Sequence, residues 1–159
     1  MNNEIIIYTD GAARGNPGPG GYGIVLKAGK HRKEMSQGYK LTTNNRMELL
    51  AVIVALEQLK NKNRNVTIYT DSKYVVDAVE KKWLFNWEKT NFKKKKNPDL
   101  WKRFLKIYPD HNIKFIWIKG HNDNVENEVC DRLAVEASKE ANLLVDEEYV
   151  KQKNDYTLF

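Results

Sequence analysis

Residues 4–10 read Glu4-Ile5-Ile6-Ile7-Tyr8-Thr9-Asp10, a β-branched and aromatic run that stops on a carboxylate. Such runs read as strands, so a strand is expected over Glu4–Thr9. The segments beyond Asp10 decide the architecture. Gly11 to Gly23 is rich in Gly and Pro and reads as a turn. Beyond it, Tyr22–Lys27 and Lys33–Leu41 read as two more strands, with a hairpin turn over Ala28–Arg32. Thr42 or Thr43 is then placed to cap a helix. Its apolar residues Met47, Leu50, Ala51, Val54, Ala55 and Leu59 recur at helical spacing until Asn61–Asn65 ends it.

The second half alternates. A strand is expected at Val66–Thr70, then a helix capped by Asp71 or Ser72, with Tyr74, Val75, Ala78 and Val79 on its apolar face. Two short helices flank a basic loop at Lys93–Pro98. A strand at Ile113–Ile118 and a helix at Asn127–Asn142 come next, the helix turning Cys130, Leu133, Ala134, Ala137 and Ala141 inward. An antiparallel meander succeeded by alternating strands and helices predicts an α/β fold. Its mixed five-stranded sheet has three antiparallel strands, then parallel strands, with helices on both faces. There is no internal repeat. Residues 1–142 are expected to form one domain and residues 143–159 a partly ordered tail.

Composition narrows the class. The chain has 159 residues, 41% hydrophobic and 30% charged, enough for one domain with a real core. No apolar stretch approaches the ~18 residues of a membrane helix, and Met1–Glu4 is polar, unlike a signal peptide. A monomeric cytoplasmic protein without an obligate protein partner is the expectation. The single cysteine, Cys130, excludes an intrachain disulfide and a cysteine-rich zinc site; it reads as a small buried hydrophobe on a helix. The net charge is +6, but Lys81 to Lys106 holds ten Lys and Arg against only Glu88 and Asp99. That segment alone carries +8, so the basicity is one local patch. A solvated lysine-rich loop and a polyanion-binding surface explain it equally well.

Four carboxylates occupy suggestive positions. Asp10 closes the first strand and Asp71 the fourth. If those strands are parallel neighbours, both carboxylates emerge beside the crevice where open α/β sheets bind ligands. Glu48 and Asp131 lie in the first turns of the helices that would add to it. Four carboxylates in one place repel, and at least one must take up a proton unless a hard divalent cation is bound. Each residue alone has a plainer reading: Asp71 as a helix cap, Glu48 and Asp131 as solvated helix residues.

The flanking sequence adds what position cannot. Tyr8-Thr9-Asp10-Gly11 with Gly15-Asn16-Pro17-Gly18-Pro19-Gly20-Gly21-Tyr22-Gly23 resembles the first motif of bacterial type 1 ribonucleases H. Thr42-Thr43-Asn44-Asn45-Arg46-Met47-Glu48-Leu49 resembles the second and Thr70-Asp71-Ser72 the third. Trp117-Ile118-Lys119-Gly120-His121, with Glu126-Asn127-Glu128 and Cys130-Asp131, resembles the last. The resemblance covers roughly residues 4 to 142 and implies the ribonuclease H-like fold. It implies an endoribonuclease that hydrolyses the RNA strand of RNA–DNA hybrids by two-metal-ion catalysis, leaving 3′-hydroxyl and 5′-phosphate ends. Asp10, Glu48, Asp71 and Asp131 would hold two Mg²⁺ ions, with Mn²⁺ as an alternative, and His121 would assist proton transfer or product release. Asn16, Asn44 and Asn45 match the residues that read the minor groove, although an Asn in a turn also serves as a backbone cap. Thr43 would contact a DNA phosphate or simply cap its helix. The basic segment resembles the family's substrate-binding handle. There Trp83, Trp87 and Trp101 would anchor the base, while Lys89, Lys93, Lys94, Lys95 and Lys96 meet phosphates.

Three features depart from the family pattern. Lys73 stands where relatives often have Gln; an ammonium donates but cannot accept, so it would meet phosphate rather than a base edge. Asn122-Asp123-Asn124-Val125 comes after His121 where Gly, His and Pro are common. The handle is a few residues short. Two other functions fit the same fold: a domain of a reverse transcriptase or transposase-like enzyme, or a non-catalytic hybrid-binding module. The start at Met1, close to the first strand, favours a free-standing enzyme, and the presence of all four carboxylates speaks against a non-catalytic module.

Overall fold

In the computed structural model, which describes residues 4–119 and 124–157, a five-stranded sheet carries the fold in the order β3-β2-β1-β4-β5. Strands β1 (Glu4–Ala13), β2 (Gly18–Ala28) and β3 (His31–Thr42) form the antiparallel meander. Strands β4 (Asn65–Thr70) and β5 (Asn112–Trp117) add in parallel on the other side of β1. The helices are α1 (Asn44–Glu57), α2 (Lys73–Glu80), α3 (Trp83–Lys89), α4 (Pro98–Ile107), α5 (Val125–Ser138) and α6 (Glu147–Thr157). The mixed α/β sheet expected from the sequence is present.

The two faces of the sheet are packed differently, and the glycines explain how. On one face Ile5, Ile7, Ile24, Val66, Ile68 and Phe115 join α1 in a core that also takes in Leu84, Trp101 and Phe104. On the other, α5 lies almost directly on β2 and β3. A Cβ on Gly21 would stand 2.6 Å from the Ala134 carbonyl oxygen, and one on Gly23 would overlap that of Cys130. Cys130 is buried there and donates from Sγ to the Tyr8 carbonyl at 3.2 Å. The run Gly11–Gly23 is therefore mostly strand, not turn. Asp10↔Gly23 through Ala13↔Gly20 are paired, and only the residues between Ala13 and Gly18 reverse the chain. Gly11, Gly21 and Gly23 allow close helix approach, while Gly15 has a positive φ and Gly18 would meet the Arg14 carbonyl within the turn; the two needs look the same in sequence.

Helix α1 is also not the one-sided stripe that periodicity suggested. Leu49, Val52, Ile53 and Leu56 are as buried as Met47 and Ala51, while Val54 is only half-buried. The sheet covers one side and α4 packs on another, so the helix is apolar nearly all round. Helix α5 stops at Ser138, four residues short of expectation, and leaves Ala141 exposed. In the handle, Trp101 is fully buried and donates from Nε1 to the Tyr74 hydroxyl at 2.9 Å, and Trp87 meets its edge with ring centroids 5.9 Å apart. Trp83, expected as a third anchor, is 44% exposed instead. Leu84, the next residue in α3, is the one turned into the core.

The C-terminal segment docks on the body of the fold. Leu144 pairs with the β3 edge: its N–H donates to the Gly38 carbonyl at 3.0 Å, and its carbonyl accepts from Lys40 N–H at 2.8 Å. Asp146 is buried against Arg46, with Nε–Oδ2 and Nη2–Oδ1 distances of 2.8 and 2.9 Å.

Candidate active site

The parallel ladder between β1 and β4 ends at Tyr8↔Tyr69. Just beyond it, Asp10 lies within β1 and Asp71 directly follows β4, so both stand at one edge of the sheet. Glu48 comes from the second turn of α1. It reaches this edge because Gly11 lets β1 press against that helix; a Cβ there would stand 2.6 Å from the Met47 carbonyl carbon. Carboxylate oxygens of Asp10, Glu48 and Asp71 all lie within 4.8 Å of one another. Asp131, in the second turn of α5, lines the same cleft of about 350 Å³ and stands outside that tight group. Neither cap role competes for the acids: Thr43 caps α1 through Arg46 N–H, and Ser72 rather than Asp71 caps α2 through Val75 N–H, each at 3.2 Å.

The electrostatics of the cleft are those of an anion cluster short of counter-charge. Burial raises the Asp10 pKa to about 7, with Asp71 and Asp131 pushing the same way. The Glu48 hydrogen bond and the Gly11 N–H, 2.9 Å from Oδ1, oppose the shift. Glu48 is held well above the ordinary carboxylate range, by burial first and the neighbouring Asp10 second. Its Oε2 is buried without a hydrogen-bond partner, an expensive state for an acceptor. A hard divalent cation with oxygen ligands would satisfy that atom and neutralise the repulsion, so the donor set fits such an ion.

The residues expected to read substrate fall into two neighbouring places. Asn16 and Asn44 brace each other across the β1–β2 turn: Asn16 Oδ1 accepts from Asn44 N–H at 3.2 Å, and Asn44 Oδ1 from Ala13 N–H at 2.6 Å. Both amide oxygens are thus used on backbone, which satisfies the capping interpretation while leaving each NH₂ group as a donor. Asn45 borders the carboxylate cleft and also a second groove, where Asn16, Thr43 and the exposed Lys94, Lys95 and Lys96 are brought together. Lys89 and Lys93 are exposed and line neither cavity. Lys73 stands at the cleft with its ammonium 4.8 Å from the Trp117 ring centroid, and Trp117 Nε1 donates to the Asp71 carbonyl at 3.1 Å. His121, with Asn122 and Asp123, lies outside the described residues.

Two residues of the cleft fall within the last motif but were given no role from the sequence. Asn127 is buried one helical turn before Asp131, and its Oδ1 has no hydrogen-bond partner; Glu128 lines the opening beside it. The i, i+4 spacing of Asn127 and Asp131 places them on one helix face, a signal that was present in the sequence.

The model of the family described as RNase H matches residues 2–139. A ribonuclease H of Desulforamulus reducens is 57% identical over 148 residues, 90% of this chain and 92% of that protein. A ribonuclease HI of Synechocystis is 48% identical over 94% of this chain and 96% of its own length. Among solved structures, LC11-RNase H1 in complex with an RNA/DNA hybrid superposes with a TM-score of 0.62 at 33% identity, covering 86% of this chain and 98% of that one.

Proposed function

The chain belongs to the RNase H family, and from that premise we propose that it is a type 1 endoribonuclease hydrolysing the RNA strand of RNA–DNA hybrids. The observation that carries this is the meeting of Asp10, Glu48 and Asp71, from three separate elements, within 4.8 Å. Asp10, Glu48, Asp71 and Asp131 are the metal ligands in this reading, for two Mg²⁺ ions or Mn²⁺ in their place. When bound, such ions lower the pKa of water and stabilise charge on the phosphate in transfer. The products are a 3′-hydroxyl and a 5′-phosphate. The solved relative that holds an RNA/DNA hybrid supports the choice of substrate.

The protein's own groups supply position and proton control. Asp10 and Glu48, whose pKa values are raised by burial and by their neighbours, would give up their proton in serving as ligands to such ions. The Asn16 and Asn44 NH₂ groups, with Asn45, face the minor groove, where the RNA 2′-hydroxyl can accept from them. Lys73 reaches a phosphate, since an ammonium offers donors only. Thr43, Lys89 and Lys93 to Lys96 hold backbone phosphates away from the cut. His121 assists proton transfer or product release. No described helix is long and apolar enough to cross a membrane, and the protein works as a cytoplasmic monomer in this reading.

Labelled duplexes incubated with Mg²⁺ test the proposal. The RNA strand of a hybrid should be cut, and RNA–RNA and DNA–DNA duplexes left intact. Absence of hybrid cleavage with both Mg²⁺ and Mn²⁺ would overturn it.

A further inference from the structure

The groove beside the N-terminus of α1 has a volume of about 820 Å³ and walls from three distant parts of the chain. One is the Asn16–Pro17 turn and another the loop Lys94–Pro98. The third is α6, through Tyr149, Gln152 and Lys153. Helix α6 is held there by a buried charge. Arg46 is 1% exposed and makes paired hydrogen bonds to Asp146, just before α6, and to Asp99 in α4, at 2.7–2.9 Å. Thr42 Oγ1 adds a bond to Asp146 at 2.7 Å, and the Tyr149 ring lies 5.8 Å from the guanidinium. Gln152 Nε2 donates to Asp99 Oδ1 at 3.1 Å, tying α6 to the root of the basic loop. Arg46 also donates to Asn97 Oδ1 at 3.2 Å, at the end of that loop.

This hub shapes the field of the groove. Asp99 and Asp146 are engaged by Arg46 beneath its surface, and Glu147 and Glu148 in the first turn of α6 are exposed and do not line the groove. The lining itself carries four exposed lysines, Lys94, Lys95, Lys96 and Lys153, and no acidic residue. A cationic groove sharing Asn45 with the carboxylate cleft is placed to hold the strand opposite the one being cut.

We propose that α6 is a wall of the hybrid-binding surface, with Lys153 contacting a DNA-strand phosphate and Arg46 the positioning residue that fixes α6 and the basic loop to each other. This rests on the hybrid being the substrate. Each phosphate contact contributes about 0.9 to the slope of log affinity against log salt. The full-length K153E variant should therefore bind a labelled hybrid about three- to tenfold more weakly, by anisotropy in EDTA, with a salt slope shallower by about one. Its KM should rise by a similar factor with kcat within about twofold of wild type. K151E makes the same charge change on an exposed residue that does not line the groove; it should lose less than twofold. Wild-type binding and slope in K153E, or equal losses in both variants, would overturn the assignment. Because binding is read without turnover, a wild type that binds hybrid but never cuts it would count against the proposed activity and not against α6.

Discussion

Asp10 and Glu48 are both buried, with carboxylate oxygens within 4.8 Å of each other. Burial and their mutual repulsion both favour the protonated form, so without a cation the pair holds a proton more tightly than free carboxyls do. Asp10 is raised from 3.8 to about 7. Its contribution to stability is complete below the unfolded value near 4 and is lost as pH climbs through 7. The cation-free protein should thus be less stable at pH 8 than at pH 5, by up to about 3 kcal/mol from this group. Mg²⁺ binds the deprotonated set, so it should raise the melting temperature more at pH 8 than at pH 5. Thermal melts with Mg²⁺ and with EDTA at both pH values check this; equal Mg²⁺ effects at the two would count against Asp10 as a ligand.

Asp10→Asn removes one negative charge from the cluster and keeps the size of the side chain. The variant should be more stable than wild type in EDTA at pH 8, gain little from Mg²⁺, and cut hybrid at least about a hundredfold more slowly while still binding it. Near-wild-type cleavage would remove Asp10 from the ligand set. The opposite signs on stability and activity separate this role from a structural one.

Gly23→Ala should be among the most damaging small substitutions in the chain. The added Cβ would overlap the Cys130 carbonyl oxygen and come within 2.9 Å of the Leu133 Cβ. The Cys130 backbone and a Cβ fixed to the same helix leave nothing flexible to move. A loss of about 3 kcal/mol is expected, at the upper end of ordinary overpacking. Gly29→Ala is the control: it has open space but a φ of +59°, and about 1 kcal/mol is expected from the left-handed backbone alone. Urea midpoints of the two variants give the comparison.

These glycines also show where sequence stops being legible. The succession of strands and helices was readable from hydrophobic runs and their punctuation, which are local, whereas the parallel pairing of β1 with β4 that brings Asp10 and Asp71 to one edge was a condition the sequence left open. Whether Gly21 or Gly23 serves a turn or a close helix depends on α5, more than a hundred residues away. Burial all round α1 depends on α4 in the same way. Trp83 and Leu84 are adjacent and both apolar, and only the tertiary orientation of α3 decides which is covered. The site divides similarly. Asp71 directly follows β4 and Glu48 and Asp131 lie near helix starts, as their local sequence indicated, while β1 runs on past Asp10 to Ala13; the partnering of Arg46 with Asp99 and Asp146 links residues with no local pattern between them.

Replacing Lys93, Lys94, Lys95 and Lys96 together with neutral residues should weaken hybrid binding mainly at the KM level. All four are exposed, so stability should change by less than about 0.5 kcal/mol. KM should rise at least tenfold at low salt, with a smaller effect on kcat and a flatter salt dependence. Steady-state kinetics across a salt series measures this. A pure kcat defect would argue that the loop acts on the chemistry instead of on binding.

Arg46 offers the sharpest stability test, since the guanidinium is almost fully buried between two carboxylates. Arg46→Met would leave Asp99 and Asp146 facing each other without their cation. Breaking a buried pair from one side costs about 3–5 kcal/mol, and a loss of that size in urea unfolding is expected. Arg46→Lys should recover little, because one ammonium cannot reproduce the forked bonds to both partners. The Asp99 pKa is lowered by its bonds to Arg46 even though burial acts against the shift. Its contribution is therefore present above the unfolded value near 4 and lost as pH falls through the depressed one. Wild type should lose this part of its stability on acidification, and Arg46→Met should not. If the two proteins instead lose stability in parallel from pH 6 to pH 3, the Arg46–Asp99 pair is not what holds α6 and the basic loop together.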